Sequence, residues 1–207
     1  MVITDIKITK KGKYALFCGS EFLFSVDENT CFDYDLHPGM EIGEDALAEL
    51  RKRSEYNKAL SRAFLILRSR DHSEYELYTK LTRSFDDGTA SAAVARIKEL
   101  GYLDDEGFAR RYAEELQRKG RSTVEIRSKL AAKHITSDTA EAVIREIDTD
   151  DREALRALIE KRYMNRLRGQ RGKEKVYGSL LRKGYMSSDI IAVLNEIKIE
   201  PSEDDYE

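Results

Sequence analysis

The sequence predicts a mainly α-helical protein: a tandem array of three three-helix repeats, elongated and curved, behind a small N-terminal antiparallel β module. Three observations carry this expectation. An apolar pair spaced Leu-x-x-x-Leu occurs at Leu77 and Leu81, returns 49 residues later at Ile126 and Leu130, and returns again after 50 more at Val176 and Leu180. A period near 50 with helical spacing marks stacked units whose neighbours complete each other's cores. Charged residues make up 36% of the chain, with two prolines and no tryptophan, a composition of long solvated helices rather than of a sandwich or doubly wound sheet. Short apolar runs between turn residues are confined to the first 36 positions.

Those first runs are read as strands. Ile3, Ile6 and Ile8 roughly alternate, and Lys10-Lys11-Gly12-Lys13 turns the chain into Tyr14-Ala15-Leu16-Phe17-Cys18. Gly19-Ser20 separates this run from Phe22-Leu23-Phe24-Ser25-Val26. Asp27-Glu28-Asn29 reads as another turn and Cys31-Phe32-Asp33-Tyr34 as a short fourth strand. The module, residues 1–40, is too small to hold a core alone and is expected to pack on the first helices. His37-Pro38-Gly39-Met40 closes it. Residues 41–56 read as a helical linker, since Leu47 and Leu50 open a pattern that Leu60, Phe64 and Leu67 continue. The charged run Arg51-Lys52-Arg53-Ser54-Glu55 lies on solvent or breaks the helix, so 44–69 is one helix or two.

The three repeats fall at 57–104, 105–149 and 150–198, followed by an acidic tail, 199–207. Their expected helices are 57–69, 73–84 and 89–100; 105–119, 122–133 and 137–147; and 150–167, 173–183 and 187–197. At a constant offset of 50, Ile135 corresponds to Tyr185, Ala140 to Ile190, Val143 to Val193, Ile144 to Leu194 and Ile147 to Ile197. The first copy carries a short insertion at Asp86-Asp87-Gly88. Between the first and second copies stands Gly101-Tyr102-Leu103-Asp104-Asp105-Glu106-Gly107-Phe108-Ala109. Gly101 suits the position just past a helix, because it tolerates φ > 0. Tyr102 and Leu103 can tuck back onto that helix, and Asp104 or Asp105 offers a carboxylate to the free N–H groups of the next. An acidic pair is also a metal or catalytic candidate, but the cap and the helix dipole account for it.

Net charge is −3, yet it is unevenly spread: residues 1–50 carry −6, residues 51–200 carry +7 and the last seven carry −4. An acidic whole therefore leaves room for a polyanion-binding middle. No basic-then-apolar leader opens the chain and no apolar run approaches membrane-spanning length, so a cytoplasmic protein is expected. Cys18 and Cys31, with no metal-ligand neighbours at useful spacing, read as buried free thiols. Neither a Gly-x-x-x-x-Gly-Lys loop nor a His-Glu-x-x-His helix occurs, and His37, His72 and His134 are scattered. No catalytic residues, metal site, cofactor or small-molecule substrate are expected.

The motif Gly101-Tyr102-Leu103-Asp104-Asp105 with Phe108-Ala109 resembles that of the RecX family of bacterial recombination regulators. Ser73-Glu74-x-Glu76-Leu77-x-x-x-Leu81, and Gly120-Arg121-Ser122 with Ile126 and Leu130, stand where that family has similar residues. The resemblance covers about residues 57–197. In the third unit Gly172-Lys173 and Arg182-Lys183-Gly184-Tyr185 fit, Arg168-Gly169-Gln170-Arg171 has no counterpart, and the β-rich segment lies outside the shared core. The resemblance implies a non-enzymatic modulator that binds the RecA recombinase and lodges in the groove of its filament on single-stranded DNA. It also implies inhibition of strand exchange and of ATP hydrolysis, restraint of the damage response and, in some members, direct DNA binding.

Such a role needs a cationic stripe. Arg118, Lys119, Arg121, Arg127, Lys129 and Lys133 gather in the second unit; Lys161, Arg162, Arg166, Arg168, Arg171, Lys173 and Lys175 form a denser set in the third, seven cations in 15 residues. They meet phosphates, meet an acidic protein surface, or form an ordinary solvated helix face. Tyr163 and Tyr177 interleave with the third-unit set as candidates for base stacking, whereas the repeat register puts Tyr185 in the core. Three rivals stand beside this reading: a helical-repeat protein that binds DNA without a recombinase, a scaffold for another protein and, disfavoured for want of a catalytic motif, an enzyme. The third-unit cations straddle a loop and two helices, which argues for backbone contact rather than a single recognition helix.

Overall fold

The computed structural model describes residues 1–147 and 150–197. The chain divides into two compact units, one ending at Leu103 and the other beginning at Asp104.

The first unit opens with a three-stranded antiparallel sheet, β1 (Asp5–Ile8), β2 (Tyr14–Cys18) and β3 (Glu21–Val26), in that order. Its register aligns Ile6, Leu16 and Phe24 across the strands. Leu16, Phe24 and Val26 face a core completed by Ile3, Leu36, Ile42 and Leu50. Ile3 precedes the first strand, and its N–H donates to the Met40 carbonyl at 2.9 Å.

The expected fourth strand at Cys31–Tyr34 is a helix instead, α1 (Glu28–Asp33). The residue that decides this is Asp27. Its Oδ1 accepts from Thr30 N at 3.0 Å and its Oδ2 from the Thr30 hydroxyl at 3.0 Å, a side-chain N-cap. Asn57 Nδ2 donates to the same Oδ2 at 2.6 Å. Burial disfavours the Asp27 carboxylate, but these donors outweigh it and hold its pKa below the ordinary value.

Glu44–Leu67 is one continuous helix, α2. The Arg51–Glu55 run does not break it: Arg51 lies over the Phe24 ring at 5.5 Å, Arg53 over Tyr56 at 5.9 Å, and Ser54 is buried, donating to the Ser25 carbonyl at 2.6 Å. α2 therefore serves two cores. Leu50 closes the sheet module, while Ala59 and Ala63 face α3 (Glu74–Leu81) and α4 (Asp87–Glu99) through Leu77, Leu81, Ala90, Ala93, Val94 and Ile97.

The compact body from Asp104 on contains two further sets, the second and third repeat units. The first comprises α5 (Asp105–Arg118), α6 (Thr123–Ala131) and α7 (Ser137–Glu146), around Phe108, Ala109, Ala113, Leu116, Ile126 and Leu130. The second comprises α8 (Asp151–Arg162), α9 (Met164–Leu167), α10 (Gly172–Leu181) and α11 (Ser187–Glu196). Ile126 and Leu130 in one set, and Val176 and Leu180 in the other, are all fully buried. The pairs Ala140/Ile190, Val143/Val193 and Ile144/Leu194 likewise occupy both cores. The expected helix over 150–167 is two helices. Tyr163 leaves helical geometry at φ −121°, ψ −7°, and α9 then turns Leu167 into the core. Among the described residues no helix is long and apolar enough to cross a membrane.

Candidate polyanion interface

The conspicuous Gly101–Ala109 stretch is structural. Gly101 (φ 77°) donates its N–H to Lys98 O at 2.9 Å and Tyr102 N donates to Ile97 O at 3.1 Å, the paired bonds that end a helix at a left-handed residue. Tyr102 is exposed, its ring edge-on to Phe64 at 5.3 Å, and Leu103 packs on the first three-helix core. Asp104 Oδ1 accepts from Gly107 N at 2.9 Å, so Asp104 is the cap and Asp105 lies in the first turn of α5. Phe108 and Ala109 are buried. Among the described residues no group of three or more His, Cys, Asp and Glu is arranged to hold a metal ion.

The second-unit cations are largely engaged with their own fold. Lys119 pairs with Glu115, and Lys129 and Arg121 share Glu125 at 3.6 and 4.0 Å. Arg127 grips Glu141 through two nitrogens, which raises the guanidinium pKa and lowers that of the carboxyl. Lys133 lies over the Tyr112 ring at 5.9 Å, and Arg118 is exposed at the end of α5. Exposed pairs of this kind add little to stability. Their consequence here is local neutrality.

The third set differs. Lys161, Arg162, Arg166, Arg168, Arg171, Lys173 and Lys175 are all exposed. Arg171 pairs with Glu174 at 3.2 Å. Among the described residues no carboxylate comes within ion-pair distance of the other six. Arg166 lies over Tyr163 at 5.8 Å. Tyr163 and Tyr177 are partly buried against the core, the latter with its hydroxyl 2.9 Å from Ser187 Oγ, so neither ring is a free stacking platform. Tyr185 is core, and burial, then nearby Asp151 and Tyr163, push its phenol up to about 12.

Two cations of the turn after α10, Arg182 and Lys183, join these sets. Arg121 Nη1 donates to Arg182 O at 2.8 Å, Ser122 N to Lys183 O at 3.1 Å, and Lys183 Nζ to Lys119 O at 2.6 Å. The turn after α10 thus sits on the turn between α5 and α6. Partial burial, with Arg121 and Arg162 close by, lowers the Lys183 pKa. On its other side, Arg182 helps line an open groove of about 700 Å³ formed with Asn165, Arg166, Gln170, Glu174 and Lys175. The signal for Arg182 and Lys183 was their adjacency in the sequence; nothing in the sequence pointed to Asn165 or Gln170.

These features define a class: a helical-repeat protein of three-helix units, carrying a sheet module at one end and a cation-rich surface on its last unit. Residues 104–144 match the model for the second three-helix domain of RecX, and residues 149–194 that for the third. The regulatory protein RecX of Lactobacillus johnsonii is 30% identical over 210 residues, covering 99% of this chain and 78% of that one. The Salmonella paratyphi A protein is 35% identical over 151 residues, 67% of this chain and 91% of that one. A crystal structure of regulatory protein RecX superposes with a TM-score of 0.68 at 23% identity, covering 94% of this chain and 98% of that one. A second, of RecX from Lactobacillus salivarius, gives 0.56 at 22% identity, over 69% and 96%. The chain belongs to the RecX family of regulatory proteins.

Proposed function

We propose that the protein is a non-enzymatic cytoplasmic regulator of recombination and DNA repair. In this reading it binds the RecA recombinase and its filament on single-stranded DNA, lodges in the filament groove, inhibits strand exchange and ATP hydrolysis, and so restrains the damage response. Family membership supports the partner. The observation that carries the contact is the contrast between the two cation sets: those of the second unit are largely neutralised in place, whereas six of the third have no carboxylate partner among the described residues. Unmatched cations gain most from meeting a polyanion, because counterions are released into bulk solvent. Plain DNA binding without a recombinase is the second reading, favoured by the same surface.

Co-sedimentation with filaments of the cognate recombinase on single-stranded DNA tests the proposal. The protein is expected to pellet with the filament at ratios well below one per recombinase subunit. Pelleting that requires DNA but not recombinase would favour the second reading instead.

A further inference from the structure

On one outer face the third repeat unit departs from the second. Arg127 and Glu141, which tie α6 to α7 by an ion pair, correspond at the offset of 50 to Tyr177 and Ile191. The tie between α10 and α11 is made instead by the Tyr177 hydroxyl, 2.9 Å from Ser187 Oγ. Asp138 and Arg145 give way to Ser188 and Asn195, so four charges of this face become none. Ala131 and Thr136 give way to Leu181 and Met186. Met186 is the plainest departure. The closing helices of the first two units start from Asp86 and Thr136, whose side chains accept from Thr89 N at 2.9 Å and Thr139 N at 3.3 Å. Met186 holds that position on α11 with no side-chain cap, and it is 61% exposed, beside Leu181 at 42% and Ile191 at 50%. A thioether in place of a cap forgoes local stability and, exposed, gains nothing from its own core. Helical spacing sets Tyr177 with Leu181 on α10, and Ser187 with Ile191 and Asn195 on α11, and the Tyr177–Ser187 contact joins the two rows into one uncharged face.

We propose that this face pairs with the same face of a second copy of the chain, α11 against α11 across a two-fold axis at Ile191. Self-pairing requires a patch that complements itself. An antiparallel crossing at Ile191 sets Ser187 of each copy opposite Asn195 of the other, since both stand four residues from the axis, and a hydroxyl and an amide satisfy one another. Ile191 meets its own counterpart, with Met186 and Leu181 of both copies beside it, and no charge is set against a like charge. A face without charge, on a chain that is 36% charged, has nothing to offer an acidic or a basic partner surface and matches its own copy. Helical spacing turns Lys175 and Ser179, which line the cationic groove, away from Tyr177 and Leu181, so pairing leaves that groove open. The proposal is independent of what the cations bind.

The test is sedimentation equilibrium of the full chain across a micromolar concentration series, with neither DNA nor recombinase present. The wild type moves from 23.8 kDa towards twice that mass as concentration rises. Raising the salt leaves the pairing in place, because no ion pair holds it. Ile191→Glu, which restores the residue type of Glu141, weakens self-association about tenfold or more by burying a carboxylate at the axis. Met186→Thr weakens it too, while the regained cap raises the urea midpoint of the monomer. That opposite movement separates loss of an interface from loss of fold. A single monomeric mass at every concentration would overturn the proposal, as would a dimer that Ile191→Glu and Met186→Thr leave intact. So would a dimer that Phe22→Ser or Phe32→Ser dissociates instead, since those exposed rings belong to the sheet module.

Discussion

His72 is buried, with Nδ1 2.8 Å from the Arg70 carbonyl and Nε2 2.7 Å from Lys80 Nζ. A carbonyl can only accept, so Nδ1 carries the proton and Nε2 accepts from the lysine: the neutral ring is the one that fits. Burial pushes its pKa below 6.5, and the charges of Arg70 and Lys80 push the same way against the Arg70 carbonyl and Glu76. The unfolded chain then binds this proton more readily than the folded one. The stabilisation from His72 is complete above the unfolded pKa, falls as pH drops below about 6.5, and is lost once pH passes the depressed folded value. Urea midpoints measured at about pH 7.5 and about pH 5.5 should show a larger drop for the wild type than for His72→Gln. Equal drops would remove His72 from the account. Sequence alone leaves this residue unassigned among scattered histidines, because its meaning comes from Lys80, eight positions on. Asp104 was legible, since a cap depends on local backbone that the sequence itself supplies.

Among the elements, the contact between the last two three-helix sets turns on Gly184. Its φ is 87°, and a Cβ there would come 2.6 Å from Glu125 Cβ and 2.7 Å from Ser122 Oγ. Gly184→Ala should therefore cost about 2–4 kcal/mol, from left-handed strain plus overpacking. Gly101→Ala, with a similar φ of 77° but nothing within 4 Å, should cost only about 1 kcal/mol. Chemical unfolding of the two variants checks the difference, and equal losses would mean that the turn is not clamped. The helical cores were legible because the 50-residue offset repeats apolar positions that are buried in both sets. α1 was not, because Asp27-Glu28-Asn29 reads equally as a turn; the tie to Asn57, thirty residues on, belongs to tertiary structure. The break at Tyr163 was also hidden, since an aromatic residue continues an apolar helical pattern as readily as it ends one.

For the whole molecule, the motif at Gly101–Ala109 and the period of the repeats were enough to reach the family, whereas the candidate surface was legible only as a list of cations. Charge counts cannot tell Arg127, matched by Glu141 fourteen residues away, from Arg166, which has no carboxylate partner among the described residues. Nor do they reveal that the Arg182–Lys183 turn meets Arg121 and Lys119, 61 and 64 residues away in sequence. The distinction matters for function, because a matched cation contributes little to binding a polyanion and an unmatched one contributes a released counterion. The most direct measurement is ATP hydrolysis by the cognate RecA on single-stranded DNA, with the protein added at sub-stoichiometric ratios. Strong inhibition is expected, lost when Arg166, Arg168 and Lys175 are replaced by Ala in a variant that remains folded. Undiminished hydrolysis and normal filament assembly in the presence of the wild type would contradict the account.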